Sequence, residues 1–395
     1  MFVKHLIPVL AAIGSAAAQC KGTATINSQA DADGIARSCK TYSGDIVIGK
    51  QTDSKIDISG ISKITGDLTV LNNGQILDLT SSDLGEIGGT FTLQNLTLLT
   101  SLTLPSLEKV DTLLFQALPA LATLTIGPPG ITEAKSVTIT DTFLESLAGI
   151  NVQNVETLDV NNNRRLSDFS SSIKTVSKVL KVSANNREMT LTLPNLAWAA
   201  NLEIANVTTF SVPSLAAVNG SARFDSNFFE KFSAPNLTKT DDDVSFVGNS
   251  KLAEIDFSSL TIIGGGLLIA NNTALKEIKD FQKLKTVGGA LKMRGNFTKI
   301  ELPSLNDVKG AFDISSTTDI KDDCDVFQKL SRTGGGGQIQ GTFKCESDNE
   351  KANEDTGSGT SGGGSSSDKK DSAAGVVFNT ALFALSAFAG VSMLL

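Results

Sequence analysis

"LTLPSL" stands at residues 102–107 and "IELPSL" at residues 300–305, and their recurrence shows how the chain is organised. In each copy a short apolar alternation runs into a proline, a small polar residue and a leucine. A new alternation then opens at Val110 or Val308. Proline lacks the N–H that a strand ladder needs, so it marks a strand end and a corner. Taking the closing leucine as an anchor and searching outward gives Ile61, Leu84, Leu107, Ile131, Ile150, Ile173, Leu196, Leu215, Leu237, Leu260, Leu284 and Leu305. A spacing of about 22 residues sustained over this series signals a repeat architecture.

Each unit carries two short segments of period two. One follows the anchor, as in "GDLTV" at 66–70, "GTFTL" at 89–93 and "GALKM" at 289–293; the other precedes it, as in "ILDL" at 76–79 and "EIDF" at 254–257. Such alternation with glycine in front reads as half-buried strands entered from turns. The connections are rich in Gly, Ser, Asn and Pro and show no helical period, so helical linkers are disfavoured. The expected fold is therefore all-β, a parallel β-solenoid of about 12 coils of about 22 residues covering 46–318, because one unit alone cannot bury its apolar face. An asparagine recurs between the two strands, at Asn72, Asn95, Asn162, Asn185, Asn206, Asn227, Asn249, Asn271 and Asn296. An asparagine ladder between stacked turns is its expected role.

The two ends carry trafficking signals. In residues 1–18, Lys4 and His5 precede the apolar run Leu6 to Ala12, and Ala16-Ala17-Ala18 supplies a cleavage pattern. This is the form of a secretory signal peptide, with Gln19 as first mature residue. At the other end an apolar tail from Val376 to Leu395 has no charged residue after it and follows a Ser/Gly-rich stalk, 347–372. Small residues, a spacer and a terminal apolar tail make up a GPI-anchor signal, with Ser372 as the attachment residue, Gly364 to Ser367 as alternatives, and 373–395 as the removed propeptide.

The four cysteines, Cys20, Cys39, Cys324 and Cys345, lie at the extremities of the repeat region. In a secreted chain an even count reads as disulfides, and of three open pairings the local one, Cys20–Cys39 with Cys324–Cys345, is simplest. They would staple short helical caps: one in 19–45, capped by Ser28 and ending near Arg37, and one in 319–346, from Val326 to Ser331. The formal net charge is −8, a poor match for nucleic acid, whose phosphates call for clustered positive charge. The single histidine, His5, falls inside the signal peptide. The mature chain thus lacks imidazole, which excludes Ser-His-Asp and Cys-His catalysis and His-ligated zinc within one chain. No cofactor is called for. Sequons stand at Asn95, Asn206, Asn219, Asn236, Asn271 and Asn296, and four of these six share the ladder position, where a side chain cannot both bond inward and carry sugar.

An L-P-[SN]-L corner repeated about every 22 residues, terminal cysteine pairs, a signal peptide and a GPI tail together resemble the fungal GPI-anchored cell-wall organisation proteins. Their repeats are similar to the receptor L domains of insulin- and EGF-type receptors. The resemblance implies a non-catalytic role in cell-wall organisation, integrity and morphogenesis, on the outer face of the plasma membrane or in the wall. The implied partners are the membrane, through the lipid, and wall polysaccharide or wall-assembly proteins. Lys369-Lys370 resembles a plasma-membrane retention signal in such proteins.

The alternative is a carbohydrate-modifying enzyme using surface carboxylates on a β-helix. Its candidate is Asp241-Asp242-Asp243, of which only Asp241 and Asp243 share a face. A solvated turn is the blander account of the triplet, and calcium binding a third. Trp198 and Tyr42 are the only Trp and Tyr, too few for an aromatic sugar-stacking platform.

Overall fold

The computed structural model describes residues 20–353. They form a parallel β-solenoid of about 13 turns with two short helices. The expected signal peptide, the stalk beyond residue 353, Lys369-Lys370, Ser372 and the propeptide lie outside the described residues.

Each coil has three faces. Face A holds short strands such as Lys63–Ile64 and Lys239–Thr240; face B follows with strands such as Leu68–Leu71 and Val244–Val247. In several coils one strand runs through both, as in Glu86–Gln94, Lys109–Leu118 and Thr175–Ser183, so faces A and B join into a 21-stranded sheet. Face C holds three-residue strands such as Asp78–Thr80, Ser101–Thr103 and Glu254–Asp256. Every pairing is parallel, and each residue meets its counterpart one coil on: Thr69 faces Thr92, Thr92 faces Leu114, Leu114 faces Thr138.

The hexapeptide is the corner between faces C and A. The N–H of Leu107 donates to Leu104 O at 3.2 Å, closing a turn in which Pro105 holds the second position, where its fixed φ is favourable. The same bond closes at Leu196, Leu215, Leu237 and Leu305. The third residue reaches back one coil: Ser106 Oγ donates to Ser82 O at 2.6 Å and Ser304 Oγ to Gln282 O at 2.7 Å. All the anchors from Ile61 to Leu305 are buried, none more than 5 % exposed. Alternation thus places apolar residues of all three faces into one continuous core. Its C-terminal half contains a phenylalanine spine, Phe224, Phe232, Phe246, Phe257 and Phe281, in which successive rings lie 4.5–6.0 Å apart.

The corner between faces B and C is a two-residue step. Its first residue takes a left-handed backbone at Asn72, Asn95, Asn162, Asn206 and Asn271, with φ of 53–59°. Asparagine tolerates that region better than other side chains do. The ladder is formed by the second residue, so the expectation needs a shift of one position at most sites. Asn163, Asn185, Asn227, Asn249 and Asn272 build the buried ladder, whereas Asn72, Asn95, Asn162, Asn206, Asn271 and Asn296 stand outside it; of these, Asn95 Nδ2 donates to Asn72 Oδ1 one coil back at 2.7 Å, at the surface. Asn249 Nδ2 donates to Phe224 O and to Asn272 Oδ1, both at 2.9 Å, while its Oδ1 accepts from the Asn227 N–H at 2.8 Å. The shift removes the inward-bonding conflict at the sequons, since the corner residue and the buried ladder residue are different residues; Asn95 and Asn206 keep only surface bonds, to Asn72 Oδ1 and Ser226 O.

Helix α1 (Gln29–Ser38) closes the first coils, its N-cap Ser28 accepting from the Asp31 N–H. Helix α2 (Lys321–Leu330) closes the last, with Phe327 packed 5.0 Å from Phe312. The start expected at Val326 is corrected to Lys321. Asp319 Oδ1 accepts from the Lys321 N–H, and Asp322 and Asp323 occupy the first turn, where the helix dipole favours acids. Asp323 is itself buried and accepts from Lys299 Nζ at 2.6 Å and the Ile300 N–H at 2.8 Å, tying the helix to the end of face C.

Replacing Asn249 by leucine, the residue type that Leu96 and Leu118 place in the same column, should cost about 2–4 kcal/mol, because buried donors and a carbonyl lose their partner. Urea unfolding of the variant measures this. A loss within error would show that the ladder is not a stabilising element.

Candidate functional site

The corner between faces A and B explains the glycines that precede the strands. Asp67 Oδ1 accepts from the Thr90 N–H at 2.7 Å, and a Cβ on Gly89 would fall 2.1 Å from that same oxygen. The pattern repeats at Asp243, whose Oδ1 accepts from the Gly266 N–H at 2.7 Å, and at Asn201, which accepts from the Ser221 N–H at 3.0 Å. Asp243 of the acidic triplet is therefore engaged in holding one coil to the next. Asp241 is exposed and pairs with Lys239 at 3.1 Å. Among the described residues no group of three or more His, Cys, Asp or Glu is placed to hold a metal ion.

Where the corner is shortened, the surface opens. Between Ile87 and Thr90 two residues intervene, but the next coil has only Asp111 between the partners Val110 and Thr112; likewise Glu156 alone stands opposite Ser177 and Lys178. Over these shortened corners lies a shallow groove of about 550 Å³ lined by Glu86, Lys109, Asp111, Glu133, Lys135 and Asn154. Along it and past both its ends charges alternate from coil to coil: Lys63–Glu86 at 2.9 Å, Lys109–Glu133 at 2.7 Å, Lys135–Asp111 and Lys178–Glu156 at 2.6 Å. The Glu133 carboxylate, hydrogen-bonded to Lys109, holds that ammonium above the ordinary lysine range, and Asp111 does the same for Lys135. Exposed pairs add little stability, but like charges stacked directly opposite would oppose the register.

Cys20 is bonded to Cys39 and Cys324 to Cys345, each across a Cα–Cα distance of 5.6 Å. Asn95, Asn219 and Asn236 are exposed; Asn206, Asn271 and Asn296 are half-buried. The Asn296 side-chain oxygen accepts from Asn353 Nδ2 at 2.7 Å. Tyr42 is buried with its hydroxyl on Lys21 O, and Trp198 is half-buried in the sheet.

Two features were missed in the sequence. The groove depends on a one-residue difference in corner length, which no residue type announces. Asp225 is the other: burial pushes its carboxyl above the usual range, with Arg223 opposing and Glu203 reinforcing. The alternation of "ARFD" at 222–225 signals only an outward side chain, and Asp225 lies outside the groove.

Residues 1–36 match the family described as Ecm33, GPI-anchored cell wall organization protein. The chain is 37% identical over 366 residues to Protein ecm33 of Aspergillus fumigatus, covering 91% of this chain and 89% of that one. It is 38% identical over 362 residues to a cell surface GPI-anchored protein of Arthroderma benhamiae, covering 91% of each. To the cell surface GPI-anchored protein ECM33 of Candida albicans it is 31% identical over 337 residues, covering 83% and 81%. No solved structure matches it significantly.

Asp243→Ala should lower stability by about 1–3 kcal/mol through the orphaned Gly266 N–H, while Asp243→Asn, which copies Asn201, should be close to neutral. Asp241→Asn should leave the unfolding midpoint unchanged. Equal midpoints for all three variants would remove the structural role assigned to Asp243.

Proposed function

The chain belongs to the Ecm33 family of GPI-anchored cell wall organization proteins, and we propose that it works on the outer face of the plasma membrane, extending into the wall, as a non-catalytic binding module for cell-wall organisation, integrity and morphogenesis. What carries this is the extent of the likeness: nine-tenths of the chain aligns with relatives named for surface anchorage and for this family. A long solenoid offers broad, rigid faces on which extended partners can be held. The engagement of Asp241 with Lys239 and of Asp243 with the backbone supports a binding role over a carboxylate-catalysed one.

The remaining assignments form part of the same proposal. Ser372 takes the lipid after removal of 373–395, and the stalk runs up to it from beyond residue 353, since 347–353 is bonded to the last coils. The sequons carry N-linked sugar, with Asn219 and Asn236 the most favourable because both are exposed and stand outside the ladder.

Phosphatidylinositol-specific phospholipase C should release the protein from membranes, and cells lacking the chain should become hypersensitive to dyes that bind wall polymers. A copy with Asp241→Asn and Asp243→Asn should restore full resistance. Failure of that copy, at normal surface level and stability, would favour the enzyme instead; wild-type resistance without the chain would refute the wall role.

A further inference from the structure

Hydroxyl side chains on this rod fall into two populations. At the corners they are consumed by backbone of the preceding coil: Thr100, Thr238, Thr261 and Thr273 each donate to a carbonyl at 2.9–3.2 Å. On face B two outward rows are left open, although Thr140, farther along the same strands, donates to Asn161 Oδ1 at 2.7 Å. One outward row stacks Thr90, Thr112, Ser136 and Thr157, and the next stacks Thr69, Thr92, Leu114 and Thr138. None of the hydroxyls in these two rows bonds to another described residue, and all are half-buried rather than fully exposed. Beside them Gln94 and Gln116 share one bond of 3.1 Å, leaving one amide oxygen and one amide nitrogen outward.

The patch is uncharged, and it is bounded. Farther along the second row come Asp159, Lys181, Glu203 and Arg223. On the face A side stand the ion pairs of the groove. Five of the six sequons fall between residues 206 and 296, beyond the patch, and the sixth, Asn95, stands at its corner.

Resting on the wall-surface role given above, we infer that this part of face B binds an extended, neutral polysaccharide chain of the wall laid along the rod axis. Charge matching selects the partner. An anionic polymer or lipid headgroup needs Lys or Arg, which the patch lacks. A protein interface needs an apolar centre, and only Leu71 and Leu114 interrupt the polar rows. A neutral polyhydroxyl chain offers a donor and an acceptor at every residue, and threonine hydroxyls repeated at the rung spacing of about 4.8 Å present matching groups in series. Individually weak contacts repeated along one polymer add up.

The full-length protein, extracted from membranes in detergent, is sedimented with insoluble β-glucan and, separately, with chitin. It should be retained by at least one of the two, and retention should be insensitive to added salt, as neutral hydrogen bonding requires. Thr92→Lys combined with Thr138→Lys should weaken retention about ten-fold, as should Thr112→Lys alone, with melting temperatures unchanged. Ser245→Lys, on the same face but past the charged rows, should bind as wild type. No retention on either polymer, steep salt dependence, or undiminished retention of the lysine variants would overturn the assignment. If cells lacking the chain still show weak walls in that case, the wall role stands and only the binding face falls.

Discussion

Parallel hydrogen bonding of each coil to the next is the constraint that everything else in this protein obeys. Because a residue always faces its counterpart about 22 positions on, a side chain is tested against its own column rather than against an arbitrary neighbour. Each column therefore has one physical rule. Inward columns are apolar and fill the core. The left-handed step before face C is taken by Asn in five coils and by Ala117, Asp141, Ala184, Ser226 or Gly248 in others. The corner into face B needs an acceptor above and a glycine below, as Asp67 with Gly89 and Asp243 with Gly265 show.

The same rule determines what could be read without coordinates. Inward columns were legible because strand alternation and corner prolines repeat in register; every leucine or isoleucine taken as an anchor is in the core. The asparagine column was legible only to within one residue. Asn72-Asn73, Asn162-Asn163 and Asn271-Asn272 are pairs, and nothing in the composition says which member turns inward. Only the backbone dihedral of the first member separates them. Helix α2 was placed five residues late because Asp322-Asp323 reads as a polar loop until Phe327 is known to face the core.

The outer surface was least legible. Whether an outward threonine spends its hydroxyl on a neighbouring carbonyl, as Thr261 does, or leaves it open, as Thr92 does, depends on its place in the coil and not on its identity. The charged groove and the ion pair beside it have the same origin: Asp111, Lys135 and Glu156 are ordinary charged residues in sequence, and their alternation appears only once the coils are superposed.

The bond between Cys324 and Cys345 joins α2 to the last rung, Phe343–Glu346. A tug arriving from the chain beyond residue 353 would first strip the short turn at 347–353. At Cys345 the load then passes through sulfur to Cys324 and is spread over a helix whose Asp323 grips Lys299 and Ile300. Traction is so delivered to the body of the spindle as a unit, and its terminal winding is spared from being peeled off bond by bond.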